Sequence, residues 1–218
     1  MRFRLRWWRE TFFLGALLFS LIALLPLRFA LDRLGFADMG LAARQAQGSL
    51  WVGALEDARF GTIALGDVAT RLRALPLLAG RARLDVAQEG DGLRAGLTLS
   101  RHGFGVDDAT GTLTASGLAG LPPAALDLAD VSIRFGDRLC AQAEGLVTAR
   151  FSGDLAGLPL AGGFSGEARC DGPALLLPLA SRSGERLDVR LFADGRYRID
   201  AALRPAGLPY LGRFEGRF

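Results

Sequence analysis

The chain has 218 residues, and all 26 of its basic residues are Arg, for a formal net charge of +3. Four of those arginines (Arg2, Arg4, Arg6 and Arg9) precede the first apolar run. The rest of the chain is therefore close to neutral, which excludes the broad basic face that a nucleic-acid partner requires. A single His and two Cys are too few for an N/S metal site, and no cofactor is expected.

The run from Thr11 to Leu27 carries no charge. As a helix rising about 1.5 Å per residue it would extend about 25 Å, the short end of what crosses a bilayer core. The Arg excess before it places the N-terminus in the cytoplasm and the bulk of the chain across the membrane. Trp7 and Trp8 stand where interfacial aromatics belong. The exit, Pro26-Leu27-Arg28-Phe29-Ala30-Leu31-Asp32, offers bulky or charged residues where a signal peptidase needs small ones. These features predict a retained single-pass anchor in an inner membrane: residues 1–10 cytoplasmic, 11–30 transmembrane. An ordinary buried helix is the competing reading. Residues 31–47 form a juxtamembrane segment, in which Leu31, Leu34, Phe36 and Leu41 follow a loose helical pattern broken by Gly35 and Gly40.

After Gln47 the apolar period changes to two, which predicts a β domain over 48–218. Gly48-Ser49-Leu50-Trp51-Val52-Gly53 opens it. Strands are expected over Ala54–Phe60, Thr62–Leu65 and Val68–Leu72, with turns at Gly61 and Gly66-Asp67. Alternation continues through Leu84/Val86 and Leu93/Ala95/Leu97/Leu99, with Glu89-Gly90-Asp91-Gly92 as a hairpin loop between them. Thr110/Thr112/Thr114, Val131/Ile133/Phe135, Val147/Ala149/Phe151, Phe164/Gly166/Ala168/Cys170 and Leu187/Val189/Leu191 repeat the design. The last hairpin turns at Asp194-Gly195 before Tyr197/Ile199/Ala201/Leu203. Segments 75–80, 118–127 and 155–163 interrupt the pattern; Leu-Ala-Gly-Leu-Pro begins at both Leu118 and Leu155. Strands with turn signals every few residues and no long helix give an antiparallel, mainly β domain.

Cys140 and Cys170 both lie beyond the anchor. In an oxidising compartment two thiols in one domain pair, so a disulfide is expected. Cys170 falls on the apolar face of its strand. Cys140 shares parity with Gln142 and Glu144, so pairing requires a bulge or a strand end beside it.

No catalytic set emerges. His102 lies in a glycine-flanked loop, and no Gly-x-Ser-x-Gly elbow exists to supply a nucleophile for a hydrolase. Gly162-Gly163 lacks the Lys and the helix of a phosphate loop. Asp107-Asp108 and Glu56-Asp57 read as solvated carboxylates at turns or strand starts. One-sided apolar strands without covering helices leave two architectures: a sandwich of two sheets, or a curved sheet whose concave apolar surface accepts an acyl chain or a partner strand.

Gly48 to Gly53, the Gly66-Asp67 pair, and Arg71-Leu72-Arg73-Ala74-Leu75-Pro76-Leu77-Leu78-Ala79-Gly80-Arg81 together resemble the general secretion pathway protein N family of type II secretion systems. The likeness continues through Cys140 and Gly145, Cys170-Asp171-Gly172, Ser183-Gly184-Glu185 and Asp194-Gly195-Arg196-Tyr197. The resemblance implies an accessory subunit of the inner-membrane platform, supporting export of folded periplasmic proteins through contacts with other platform subunits. It carries no catalytic residues. It also implies a single transmembrane helix followed by a curved sheet or sandwich-like periplasmic domain, similar in style to AsmA-like β-groove proteins. For Trp51, with Leu50, the functional reading is a partner contact, against a core or edge aromatic. The alternative function is a membrane-anchored β-groove module that binds or transfers lipid; the anchor touches membrane lipid in either case.

Overall fold

The computed structural model describes residues 12–17, 20, 24–28, 41–61, 63–88, 92–115, 122–155, 158–159, 163–203 and 210–217. Residues 11, 18–19, 21–23 and 29–30 of the expected anchor, and residues 31–40, lie outside the described residues. Residues 12–17 are helical, and no helix among the described residues is long and apolar enough to cross a membrane.

The remainder is strand after strand. The first half comprises β1 (Leu41–Ala42), β2 (Gln45–Gly48), β3 (Val52–Phe60), β4 (Ile63–Arg73), the short helix α1 (Ala74–Leu78), β5 (Arg81–Gln88), β6 (Arg94–Ser100) and β7 (Gly103–Ala115). The second comprises β8 (Ala124–Gly136), β9 (Leu139–Phe151), β10 (Asp154–Leu155), β11 (Leu158–Pro159), β12 (Gly163–Glu167), β13 (Arg169–Asp171), β14 (Ala174–Ser181), β15 (Arg186–Leu191), β16 (Arg196–Leu203) and β17 (Tyr210–Arg217). The sheet begins at Leu41, ahead of the boundary expected at Gly48, because Leu41–Ala42 and Gln45–Gly48 pair with β3.

Fifteen strands form one sheet, in the order β1-β3-β4-β5-β6-β7-β8-β9-β12-β14-β15-β16-β17, with β2 on β3 and β13 on β14. All of its pairings are antiparallel. A single meandering sheet thus stands in place of a two-sheet sandwich. β10 and β11 make a separate two-stranded pair inside the expected interruption at 155–163. The interruption expected at 118–127 is shorter, since β8 already starts at Ala124. Near its start β4 also pairs β7, Ile63 opposite Ala115, so the β5–β6 hairpin is inserted between two strands that touch beyond it.

Three of the bulges in the long strands carry an Asp in the left-handed region: Asp57 (φ 53°), Asp108 (φ 53°) and Asp130 (φ 51°). Asp tolerates that region better than most residues, and a bulge adds local twist. The residue after each is buried: Ala58, Ala109 and Val131. Glu56-Asp57 and Asp107-Asp108 are therefore strand residues and not turns. Gly66-Asp67 likewise lies within β4, opposite the first bulge. Facing the third bulge, Gly145 has φ 102°, and a Cβ there would stand 2.5 Å from the Val131 Cα, so only glycine lets β9 close on β8.

Parity then separates two faces. One carries cross-strand ion pairs; the other holds the core. The main cluster runs from Ala109 on β7 through Val147 and Ala149 on β9 and Phe164 on β12 to Leu187, Ile199 and Leu203 on β15 and β16. A second packs Leu27 with Leu55, Ala58, Val68 and Val86. A third groups Phe135, Ala168 and Leu175 around Cys140. The core face is not covered everywhere: Leu97, Leu99 and Phe104 remain exposed on β6 and the start of β7.

Candidate functional site

The Gly48–Gly53 stretch forms the connection from β2 to β3, closed by Gly48 opposite Gly53. The Ser49 N–H donates to the Val52 carbonyl at 3.0 Å, and the Val52 N–H donates to Ser49 Oγ at 3.3 Å. The turn grips the end of the apolar run. The Leu50 N–H donates to the Leu25 carbonyl at 2.9 Å, Pro26 bridges Ser49, and Leu27 is 3% exposed in the second core cluster. Gly53 makes this seat possible, since a Cβ there would lie 2.6 Å from Leu27 Cδ2 and 2.8 Å from the Gln47 carbonyl oxygen.

Leu50 is half-buried against this cluster. Trp51 is half-buried as well, and its carbonyl accepts from the Leu72 N–H at 3.1 Å. Leu50 and Trp51, consecutive in the chain, thus both stand half-buried at this turn. Leu27, in the same cluster as Leu50, belongs by sequence to the expected anchor; in the fold it is part of the domain core.

Beside Gly53 in the sheet lies Thr70, 4% exposed, whose Oγ1 has no hydrogen-bond partner among the described residues. A buried hydroxyl left unsatisfied costs about 1–3 kcal/mol. Thr70→Val keeps the shape and removes the hydroxyl, so it is expected to stabilise the domain by about 1 kcal/mol in chemical denaturation. A loss of stability would mean the hydroxyl is satisfied.

The disulfide forms as expected: Cys140 and Cys170 are joined at 2.00 Å between sulfurs, with Cα atoms 5.5 Å apart. The anticipated bulge is present too. Phe135 pairs Cys140 while Arg134 pairs Gln142, so Ala141 is the extra residue that turns Cys140 onto the face of Phe135. Cys170 lies opposite buried Leu175 but is itself exposed, because β13 is only three residues long and leaves its end uncovered. The bond ties β13 to β9.

On the opposite face Asp107 is the hub of a polar network. Its side chain is 5% exposed. It accepts from Thr98 Oγ1 at 2.7 Å and from Arg134 Nε at 2.9 Å, with Arg83 at 3.7 Å. Arg83 continues to Asp85, and Asp85 to Arg73 at 2.6 Å. Burial works against the Asp107 charge, but the Thr98 and Arg134 hydrogen bonds and the Arg134 and Arg83 charges outweigh it and hold the carboxyl below its ordinary value. A depressed carboxyl means the unfolded chain binds more protons in acid. Its contribution is thus present above the ordinary carboxylate pKa, about 3.9, and is lost as pH falls through the lower folded value. Asp107→Asn is expected to cost about 2–3 kcal/mol at neutral pH and to flatten the acid limb of a stability-against-pH curve. An unchanged limb would assign the acid transition elsewhere.

His102 sits in the turn between β6 and β7, exposed and 3.8 Å from Asp137. No group of His, Cys, Asp and Glu able to hold a metal ion occurs among the described residues. The groups at these sites hold elements of the fold together: the seat for Leu25 and Leu27, the Cys140–Cys170 bond and the ion pairs around Asp107.

The family profile for Type II secretion system (T2SS), protein N, matches residues 39–209. The chain belongs to that family, whose members are structural components of secretion. No curated protein and no solved structure matches the chain.

Proposed function

We propose that this chain is an accessory subunit of the inner-membrane platform of a type II secretion system. Its N-terminus is cytoplasmic, one helix crosses the membrane, and the β domain works in the periplasm through contacts with other platform subunits. The family match carries this reading. Three features support it. The arginines before the apolar run orient it. Phe12, Phe13, Leu14 and Leu17 on the helical residues 12–17 are 58–69% exposed, so the rest of the described chain does not cover them. The disulfide suits an oxidising compartment.

The sheet has an open edge at β17, whose far side has no strand in the described sheet and whose Leu211 is 83% exposed. Such an edge accepts a partner strand by main-chain pairing. Trp51, with Leu50 beneath the same turn, is the second contact point. The test is co-purification of tagged full-length chain from solubilised membranes, paired with measurement of exoproteins in the medium of a deletion strain. Retrieval of platform subunits and retained exoproteins in the cell are expected. Failure to retrieve any secretion subunit, together with unchanged export, overturns the proposal.

A further inference from the structure

The helix α1, Ala-Leu-Pro-Leu-Leu, buries none of its residues. Leu75 is 81% and Leu78 88% exposed, an arrangement that water penalises and that no described element relieves. Its position in the sheet identifies what relieves it. Val52 pairs Arg71, so the turn that grips Leu25 and Leu27 stands beside the end of β4 from which α1 departs. Arg81 pairs Ser100, Gly103 pairs Gly136, and the turns carrying Arg101 and Arg138 therefore lie in succession along that same end. Leu99 and Phe104 are exposed there as well. Arg81, Arg101 and Arg138 are exposed and form no ion pair among the described residues; of the acids on this rim, Asp137 faces His102, and Asp171, at the turn that meets Cys140, pairs Arg190.

The tether thus leaves the domain from the end that bears uncovered leucines and unpaired arginines. We infer that this end of the sheet is a membrane-contact rim: Leu75 and Leu78 of α1 enter the interfacial layer of the bilayer, and Arg81, Arg101 and Arg138 meet anionic headgroups. The inference rests on the anchored orientation proposed above, in which a tether entering the bilayer beside α1 holds this rim against it. Apolar side chains inserted beside a basic row match the chemistry of an anionic lipid surface, where each Arg is worth about fivefold in affinity. Docked this way, the domain cannot swivel freely on its anchor.

The experiment uses full-length protein reconstituted into vesicles of phosphatidylcholine alone or mixed equally with phosphatidylglycerol. An environment-sensitive fluorophore is placed at Leu78→Cys, or as control at Phe60→Cys. Phe60 ends β3 at the opposite end of the sheet, about 27 Å from Val52 at 3.4 Å per residue. Neither substitution opens the core, as both side chains are exposed. Expected are a blue shift and quenching by brominated acyl chains at Leu78 and none at Phe60. The quenching should be stronger with phosphatidylglycerol, and the docked-to-undocked ratio that it reports should fall about fivefold for each of Arg81→Gln, Arg101→Gln and Arg138→Gln. Protein that resists carbonate extraction yet shows no quenching at Leu78 overturns the rim and leaves the anchor intact. Protein released by carbonate, with Leu78 quenched beforehand, overturns the anchor and leaves the lipid-binding rim. Equal quenching at Leu78 and Phe60 overturns the rim as well.

Discussion

Phe164→Ala lowers the unfolding free energy by about 3–5 kcal/mol, the range for deleting a fully buried aromatic ring. Phe164 is 0% exposed and meets Phe151 edge-on, ring centroids 5.6 Å apart. Its location enlarges the consequence. β12 has five residues and provides the strand pairing that joins β9, on one side, to β14, on the other. Each of its two pairings is short, with Phe164 opposite Ala149 and Ser181. The side chain therefore packs where the two parts of the sheet join, a junction that the Cys140–Cys170 bond also spans. Urea denaturation of the variant followed by hydrogen exchange should show protection lost first in β14–β16. Equal loss across β7–β9 would place the weak seam elsewhere.

Cys140→Ser together with Cys170→Ser removes the other large contribution. A bridge across a separation of 30 residues restricts the unfolded chain by about 3.6 kcal/mol in the loop-entropy treatment. The folded side adds a local effect, because β13 pairs only Arg169 to Asp171 with β14 and presents Cys170 outward. Without the bond this short strand is held by β14 and by the Arg190–Asp171 ion pair at 3.1 Å. The double variant should resemble the reduced wild-type protein in denaturation, and a reductant should have no further effect on it. A wild-type midpoint insensitive to reductant would show that the bond lends no stability.

The all-β character was legible because turn residues and alternation repeat along the chain. The bulge beside Cys140 was legible as well, from the conflict between its parity and that of Leu139 and Ala141. Other features were hidden for identifiable reasons. A bulge inserts one residue and reverses parity, so Asp57 and Asp108 imitate turn residues while sitting inside strands. Asp107 looked solvated because its partners, Thr98, Arg134 and Arg83, come from three other strands whose register no local pattern reports. Leu27 was lost to the apolar run before it, although Gly53 marks a place where another group must approach closely. Ser49 to Gly53 was recognisable as a box; its role as a seat for that run depended on a contact distant in sequence.

The meander also shapes how the chain can assemble. Nearly every strand lies beside one that immediately precedes it in the chain, and long excursions such as the closure of β4 on β7 are few. Closing short loops costs little entropy, so pairing proceeds from local contacts. A polypeptide that emerges N-terminus first can add each new strand to an edge already laid down, starting from the turn that holds Leu25 and Leu27. Growth of this kind is directional, like a blind unrolled from its rail: each strand finds its place only after the one before it has been laid.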